Sequence, residues 1–296
     1  LEPRGFSITR NPQYLKGVGL VVLGGVFISQ SGVIINSMEA AGLWEVQFYR
    51  SMVAIVVLFS LLLFKHRGRA LRAFDTGKRA MLSTGLFLAI SNIFYISSFF
   101  HTRAASVFFI ISAQPFFTAL LAWIVLREPV RRATWFAMIA AMVGVGVMMG
   151  EGIAEGRLFG NLLALGAAFT FAAFGVSLRS GKDSDMIPGV MLASILIGSL
   201  AAFLLDDFTI SDQDLMLCIY MGTFQVSFAL VLYAAGAKYV PAAELMVLGL
   251  TEVIMGPFWV WLFLGETPTA LGFLGGGIVM AAVLVNALAG MRRSPG

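Results

Sequence analysis

Apolar runs of about 20 residues, long enough to cross a hydrocarbon core of about 30 Å, recur along the whole chain between short polar breaks. The pattern predicts ten helical spans: Leu15–Ile35, Leu43–Phe64, Arg79–Phe100, Ala104–Leu126, Ala133–Met149, Leu158–Leu178, Ile187–Leu205, Asp214–Ala235, Val240–Leu264 and Ala270–Leu288. Breaks such as Glu128-Pro129, Ser180-Gly181-Lys182-Asp183 and Glu266-Thr267-Pro268 carry Pro, Gly and charge, and read as turns rather than domain linkers. The expected fold class is an all-α polytopic membrane protein with no soluble domain.

Lysine and arginine alternate from break to break. One side of the predicted membrane receives Arg4, Arg10, Lys16, Lys65, Arg67, Arg69, Arg72, Lys78, Arg79, Arg127, Arg131, Arg132, Arg179, Lys182, Lys238, Arg292 and Arg293. The other receives only Arg103 and Arg157, with Arg50 inside a span, and is acidic instead: Glu39, Glu151, Glu155, Asp206, Asp207, Asp212, Asp214 and Glu266. The positive-inside rule then sets both termini in the cytoplasm and requires an even number of spans.

The chain also repeats itself. Ala104-Ala105, Gln114, Trp123 and Glu128 fall, at a constant offset of 138, on Ala242-Ala243, Glu252, Trp261 and Glu266, and Tyr95 falls on Tyr233. Gly24-Gly25-Val26-Phe27 matches Gly166-Ala167-Ala168-Phe169 more weakly. Two halves, 1–150 and 151–296, therefore carry five predicted spans each. An odd number per half puts the second copy into the membrane upside down. The expectation is a 5+5 inverted repeat around a central cavity, with the site near the midplane where the halves meet.

Composition agrees with the pattern. The 296 residues are 59% hydrophobic and only 12% charged, against about 25% charged in soluble domains, and mean hydropathy is +0.89. The pI near 9.4 suggests no nucleic-acid partner, because the basic residues are scattered over short loops. Cys218 is the single cysteine, so no intrachain disulfide forms and the redox compartment is unreadable. No cleavable signal peptide is evident.

The segment from Ala104 through Gln114-Pro115 and Trp123 to Glu128 resembles the repeat unit of the drug/metabolite transporter superfamily, EamA type, as does Leu250-Thr251-Glu252 through Trp261 to Gly265-Glu266. Glu252 and Glu266 keep the family's spacing of 14, although Val253 replaces the Pro that usually follows the first Glu, and Pro257 comes later. In the first copy Gln114 replaces that Glu and Pro115 is kept. Leu43 to Arg50 resembles the family's second span, which ends in an aromatic-Arg step. The similarity covers essentially the whole chain. It implies a ten-span basket lined mainly by spans 1, 3, 4, 6, 8 and 9, and outward movement of small amphipathic solutes. Within the superfamily the chain looks most like bacterial amino-acid and metabolite exporters, those for aromatic amino acids in particular.

Ionisable and polar groups inside spans are costly, about 2.5–3.5 kcal/mol for a charge at a helix centre, so each needs a reason. Glu252, mid-span and four residues before Gly256, is the first candidate: a carboxylate that meets a substrate ammonium or carries a proton, or alternatively a structural anchor. Gln114 is its repeat counterpart, and Pro115 beside it should loosen the helix ladder. Asn92, Tyr95 and Ser98 share one face of span 3. Ser29 and Gln30 mark span 1, and Gln225 and Tyr233 mark span 8. As a set, Gln30, Asn92, Tyr95, Gln114, Gln225, Tyr233 and Glu252 offer the aromatic rings, amides and hydroxyls that an amino-acid site needs. Singly, each fits an interhelical hydrogen bond as well. Arg50 reads as structural, snorkelling outward or pairing with Glu39. Glu45 and Glu244 read as interfacial, and His101 as a span-end group rather than a proton relay. Gly146/Gly150 and Gly272/Gly276 have the spacing of close helix contacts, so spans 5 and 10 read as scaffold or as the face of a homo-oligomer.

The function expected is a secondary transporter in the bacterial inner membrane that exports neutral amino acids, aromatic ones included, or similar metabolites by alternating access. The alternative is a proton-coupled multidrug or cation exporter. If Glu252 carries a coupling proton, Glu252→Gln should abolish pH-driven transport yet retain exchange. A channel fits the midplane polar residues less well. An intramembrane enzyme lacks the parts, with only His66, His101 and Cys218 to draw on. Without a Walker motif ATP is not the energy source. No cofactor and no metal are expected; the partners are a small-molecule substrate and lipid.

Overall fold

The computed structural model describes residues 12–66, 78–126, 132–180, 187–236, 239 and 242–291. Every element among them is helical: α1 Pro12–Ser29, α2 Ser31–Asn36, α3 Leu43–Lys65, α4 Lys78–His101, α5 Ala104–Ile111, α6 Gln114–Leu126, α7 Arg132–Ala154, α8 Leu158–Ser180, α9 Ile187–Leu204, α10 Asp212–Tyr220, a π-helical segment Met221–Phe228, α11 Ala229–Gly236, α12 Ala242–Leu264 and α13 Ala270–Met291. Among the described residues, seven stretches are long and apolar enough to cross a membrane: Leu15–Asn36, Leu43–Lys65, Met81–His101, Ala104–Val125, Leu158–Ser177, Ile187–Leu204 and Asp212–Leu232. Shorter apolar stretches, Trp135–Val147, Thr251–Leu264 and Ala270–Ala282, lie within α7, α12 and α13. Glu128, the Glu128-Pro129 turn and most of the basic loop residues fall outside the described residues, as do the side chains of Glu244 and Tyr233.

The surface is apolar, and several polar side chains lie buried within an otherwise apolar core. Phe64, Phe203 and Phe136 are 88%, 84% and 73% exposed, whereas Gln47, Arg50 and Asp214 are at most 3% exposed. An apolar surface of this extent belongs against hydrocarbon.

Three predicted spans are interrupted, each for a local reason. Between α1 and α2 the hydroxyls of Ser29 and Ser31 donate to the Val26 and Ile28 carbonyls at 2.7 and 2.8 Å, bonds that bend helices. Between α5 and α6 the Ser112 hydroxyl donates to the Phe109 carbonyl at 2.5 Å, and Pro115, without an N–H, can only stand in the first turn of the next helix. The loosening expected at Pro115 takes the form of a two-residue turn, Ser112-Ala113, between α5 and α6. The third interruption is the π-helical segment, where the Ser227 hydroxyl donates five residues back to the Gly222 carbonyl at 2.8 Å.

The helices pack as α4 on α8, α7 on α13, α3 on α9, α1 on α11 and α12, α6 on α8, and α5 on α12. In the α7–α13 pair a Cβ on Gly144 would stand 2.5 Å from the Gly275 carbonyl. Gly276 is covered by the Phe109 ring, so the Gly272/Gly276 side is an internal contact, while Gly146 and Gly150 meet nothing within 4 Å.

Asp214 corrects an expectation. It counts among the acidic loop groups of the sequence, yet it is fully buried. Its carboxylate accepts the backbone N–H groups of Glu39, Ala40 and Ala41 at 2.9, 3.1 and 2.9 Å. The Ser211 hydroxyl accepts from the Asp214 N–H at 3.1 Å and caps α10. The side chain therefore pins the α2–α3 loop to the head of α10.

Candidate functional site

Polar side chains from five elements converge on the α1–α2 break. The Tyr95 hydroxyl, on α4, donates to Glu252 Oε1, on α12, at 3.1 Å. One turn earlier on α4, Asn92 accepts from Arg50 Nη2, and Arg50 Nη2 also donates to Gln47 Oε1 at 2.7 Å. Gln47 Nε2 donates to the Asn92 carbonyl at 3.3 Å. On the other flank the Ser31 hydroxyl, sharing its one proton with the Ile28 carbonyl, also reaches Gln225 Oε1 at 3.2 Å, and the Ser31 and Tyr95 side chains lie beside each other. The Tyr220 hydroxyl donates to Gln30 Oε1, and Trp259 Nε1 donates to the Ser29 hydroxyl at 3.1 Å.

Two glycines allow this convergence. A Cβ on Gly222 would lie 2.5 Å from the Arg50 carbonyl, so the π-helical segment lies directly against α3. A Cβ on Gly256 would lie 2.5 Å from the Phe108 ring, so α12 closes on α5 one turn beyond Glu252. Aromatic rings flank the polar groups. Tyr95, Phe99 and Phe108 form edge-to-face pairs at 5.0 and 5.5 Å, Phe27 stacks on Phe224 at 5.6 Å, and the Tyr220 ring is tilted against Phe224 at 4.9 Å.

Of the residues expected from sequence, Gln30, Asn92, Tyr95, Gln225 and Glu252 come together here. Gln114 starts α6, where its carbonyl accepts from the Thr118 hydroxyl at 3.0 Å. Tyr233 lies on α11. The Ser98 hydroxyl is taken locally by the Tyr95 carbonyl at 2.6 Å. Arg50 neither snorkels nor pairs with Glu39. It is buried and held by amides, while the Glu39 N–H goes to Asp214. Sequence reasoning missed Ser31, Gln47, Tyr220 and Trp259. The one available signal was that Gln47 precedes Arg50 by three residues on a helix.

The matches to known proteins agree with this architecture. The sequence model of the EamA-like transporter family matches residues 15–150 and 158–288. The chain belongs to the EamA-like transporter family. Its relatives include the pseudopaline exporter CntI of Pseudomonas aeruginosa, 22% identical over 276 residues, 91% of this chain and 95% of that one. Another is the uncharacterised transporter YwfM of Bacillus subtilis, 25% identical over 181 residues. The chain spans only 61% of YwfM's length, and the match takes in 59% of this chain. A solved crystal structure aligns over 95% of this chain and 99% of its own, with a TM-score of 0.69 at 17% identity, which shows the shared fold. As a family member the protein is a multi-pass membrane transporter working on a small molecule within lipid.

A second charged group lies apart from this belt of polar side chains around the α1–α2 break. Arg103 Nη2 and Arg157 Nε reach Glu155 at 3.1 and 3.5 Å, and both arginines act on Glu266, whose Oε1 is buried without a partner. Burial pushes the Glu266 carboxyl above its ordinary range, against the pull of the arginines. A raised pKa makes its contribution to stability fully present below the ordinary carboxylate pKa and lost as pH rises through the raised value. Glu266→Gln is therefore expected to raise the melting midpoint near neutral pH and to leave it unchanged near about pH 4. An equal shift at both pH values contradicts the assignment.

Proposed function

We propose that the chain is a ten-span secondary transporter, a 5+5 inverted repeat, that exports neutral amino acids, aromatic ones among them, or similar amphipathic metabolites by alternating access. Residues 1–150 and 151–296 are the halves, both termini are cytoplasmic, and the membrane is a bacterial inner membrane. The observation that carries the reading is Glu252. It is a carboxylate deep in an apolar helix, held by the Tyr95 hydroxyl, with no cation bonded to it among the described residues. A substrate ammonium completes it, and the flanking Tyr95–Phe99–Phe108 rings suit an aromatic or aliphatic side chain.

The helix pairing supports the repeat. Exchanging each predicted span for its counterpart in the other half turns the α4–α8 pair into α11–α1 and the α6–α8 pair into α12–α1, and all four pairs are packed. Exchange returns α3–α9 and α7–α13 to themselves. The export direction is supported by the relative described as an exporter of pseudopaline. Proton-coupled cation export rests on the same unpaired carboxylate.

Counterflow separates these readings. Proteoliposomes preloaded with unlabelled phenylalanine are expected to accumulate labelled phenylalanine saturably, with no need for a pH gradient. Uptake that requires the gradient selects the proton-coupled reading. Absence of counterflow in a folded preparation overturns the amino-acid assignment.

A further inference from the structure

The belt contains a second incomplete group, of opposite sign to Glu252. Arg50 is 3% exposed and Gln225 is 5% exposed. Arg50 Nε and Gln225 Nε2 are both buried and without a partner. Both are donors, and both flank one closed circuit of contacts. Arg50 bonds Asn92; Tyr95 follows Asn92 by one turn; Tyr95 engages Ser31; Ser31 bonds Gln225; and Gly222, one turn before Gln225, lies against the Arg50 carbonyl.

The partners Arg50 does have, Gln47 and Asn92, are neutral amides. They solvate the guanidinium without cancelling its charge. A buried cation left uncompensated is strongly destabilising, and a guanidinium edge matches a carboxylate in geometry as well as charge. Gln225 adds a donor, because its amide nitrogen has no partner while its carbonyl oxygen faces Ser31.

We infer that Arg50 Nε and Gln225 Nε2 form a subsite for a substrate carboxylate, one turn along α4 from the Glu252–Tyr95 pair that receives the ammonium. The preferred substrate is then a zwitterion rather than a simple amine. This deepens the amino-acid reading and rests on it for the ammonium half only. The carboxylate half is tested alone with benzoate, which has no ammonium and requires no transport.

Benzoate is expected to stabilise the detergent-purified protein saturably in a thermal melt. Gln225→Glu keeps the oxygen that accepts from Ser31 but places a negative charge where the donor was. This variant is expected to fold with an unchanged or higher melting midpoint and to lose benzoate stabilisation at least tenfold in half-saturating concentration. Arg50→Lys, which keeps the charge and loses the fork, is expected to weaken it as well. In counterflow, phenylalanine is expected to exchange at least tenfold better than phenylethylamine in wild type, and Gln225→Glu to erase that preference. Failure of benzoate to stabilise wild-type protein, or full stabilisation of Gln225→Glu, overturns the subsite. Phenylethylamine exchanging as well as phenylalanine also overturns it and leaves the transporter reading standing. Benzoate binding without exchange of phenylalanine upholds the subsite and overturns the amino-acid reading.

Discussion

Replacing Glu252 by alanine is expected to lower phenylalanine counterflow in proteoliposomes about 100-fold, which corresponds to about 2.8 kcal/mol of lost interaction at about 1.4 kcal/mol per tenfold. The magnitude follows from the environment. A charge pair formed away from water is worth far more than one at a surface, and among the described residues Glu252 has no competing cation. Tyr95→Phe removes the hydroxyl that orients the carboxylate and keeps the ring against Phe99. It is expected to cost about tenfold, in line with one charge-assisted hydrogen bond. The protein should stay folded in both variants, because α12 is held by Gly256 on Phe108 and by buried Val253 and Val260 rather than by the carboxylate. Transport by Glu252→Ala within threefold of wild type would remove the carboxylate from the substrate site.

Asp214→Ala is expected to produce the largest loss of stability, about 3 kcal/mol, with no role in substrate selection. Three backbone N–H groups lose a charged acceptor. Hydrogen bonds to charged groups are worth about 1.5–3 kcal/mol each, partly offset by relief from burying the carboxylate. Because three of the bonds that tie the α2–α3 loop to α10 end on this side chain, against one from Gln213 to the Ser37 carbonyl, its removal should also loosen the head of α3, seven residues before Arg50. Unfolding monitored in detergent with increasing denaturant checks the value. A change under about 0.5 kcal/mol would mean that the loop is held by other contacts.

How much of this was legible in the sequence depends on the kind of information. Apolar runs set where helices lie along the chain, and the described helices follow the predicted spans within a few residues except at the three interruptions. Three-residue spacing placed Asn92 and Tyr95 on one face, and burial cost singled out Glu252. Rotation about a helix axis was not legible for Arg50. An arginine near a span end can turn outward or inward, and the packing of α3 on α9 and on Gly222 decides it. The π-helical segment that turns Gln225 towards Ser31 leaves no hydropathy signal, because it changes hydrogen bonding rather than polarity. Repeat symmetry set Gln114 as the counterpart of Glu252. The copies diverge in backbone, with a break just before Gln114 and a continuous helix through Glu252 that carries Pro257. Asp214 reads as a loop acid because nothing in composition distinguishes a solvated carboxylate from one that gathers three backbone amides.

Accessibility of the belt from the two sides of the membrane tests alternating access most directly. In a Cys218→Ser background, Ser31→Cys puts a near-isosteric thiol beside Gln225 and Tyr95. A membrane-impermeant maleimide, applied to sealed vesicles of either orientation, is expected to label it from both sides, and saturating phenylalanine is expected to block both reactions. Labelling from neither side, or from one side only whatever substrate is present, would contradict a carrier built around this belt.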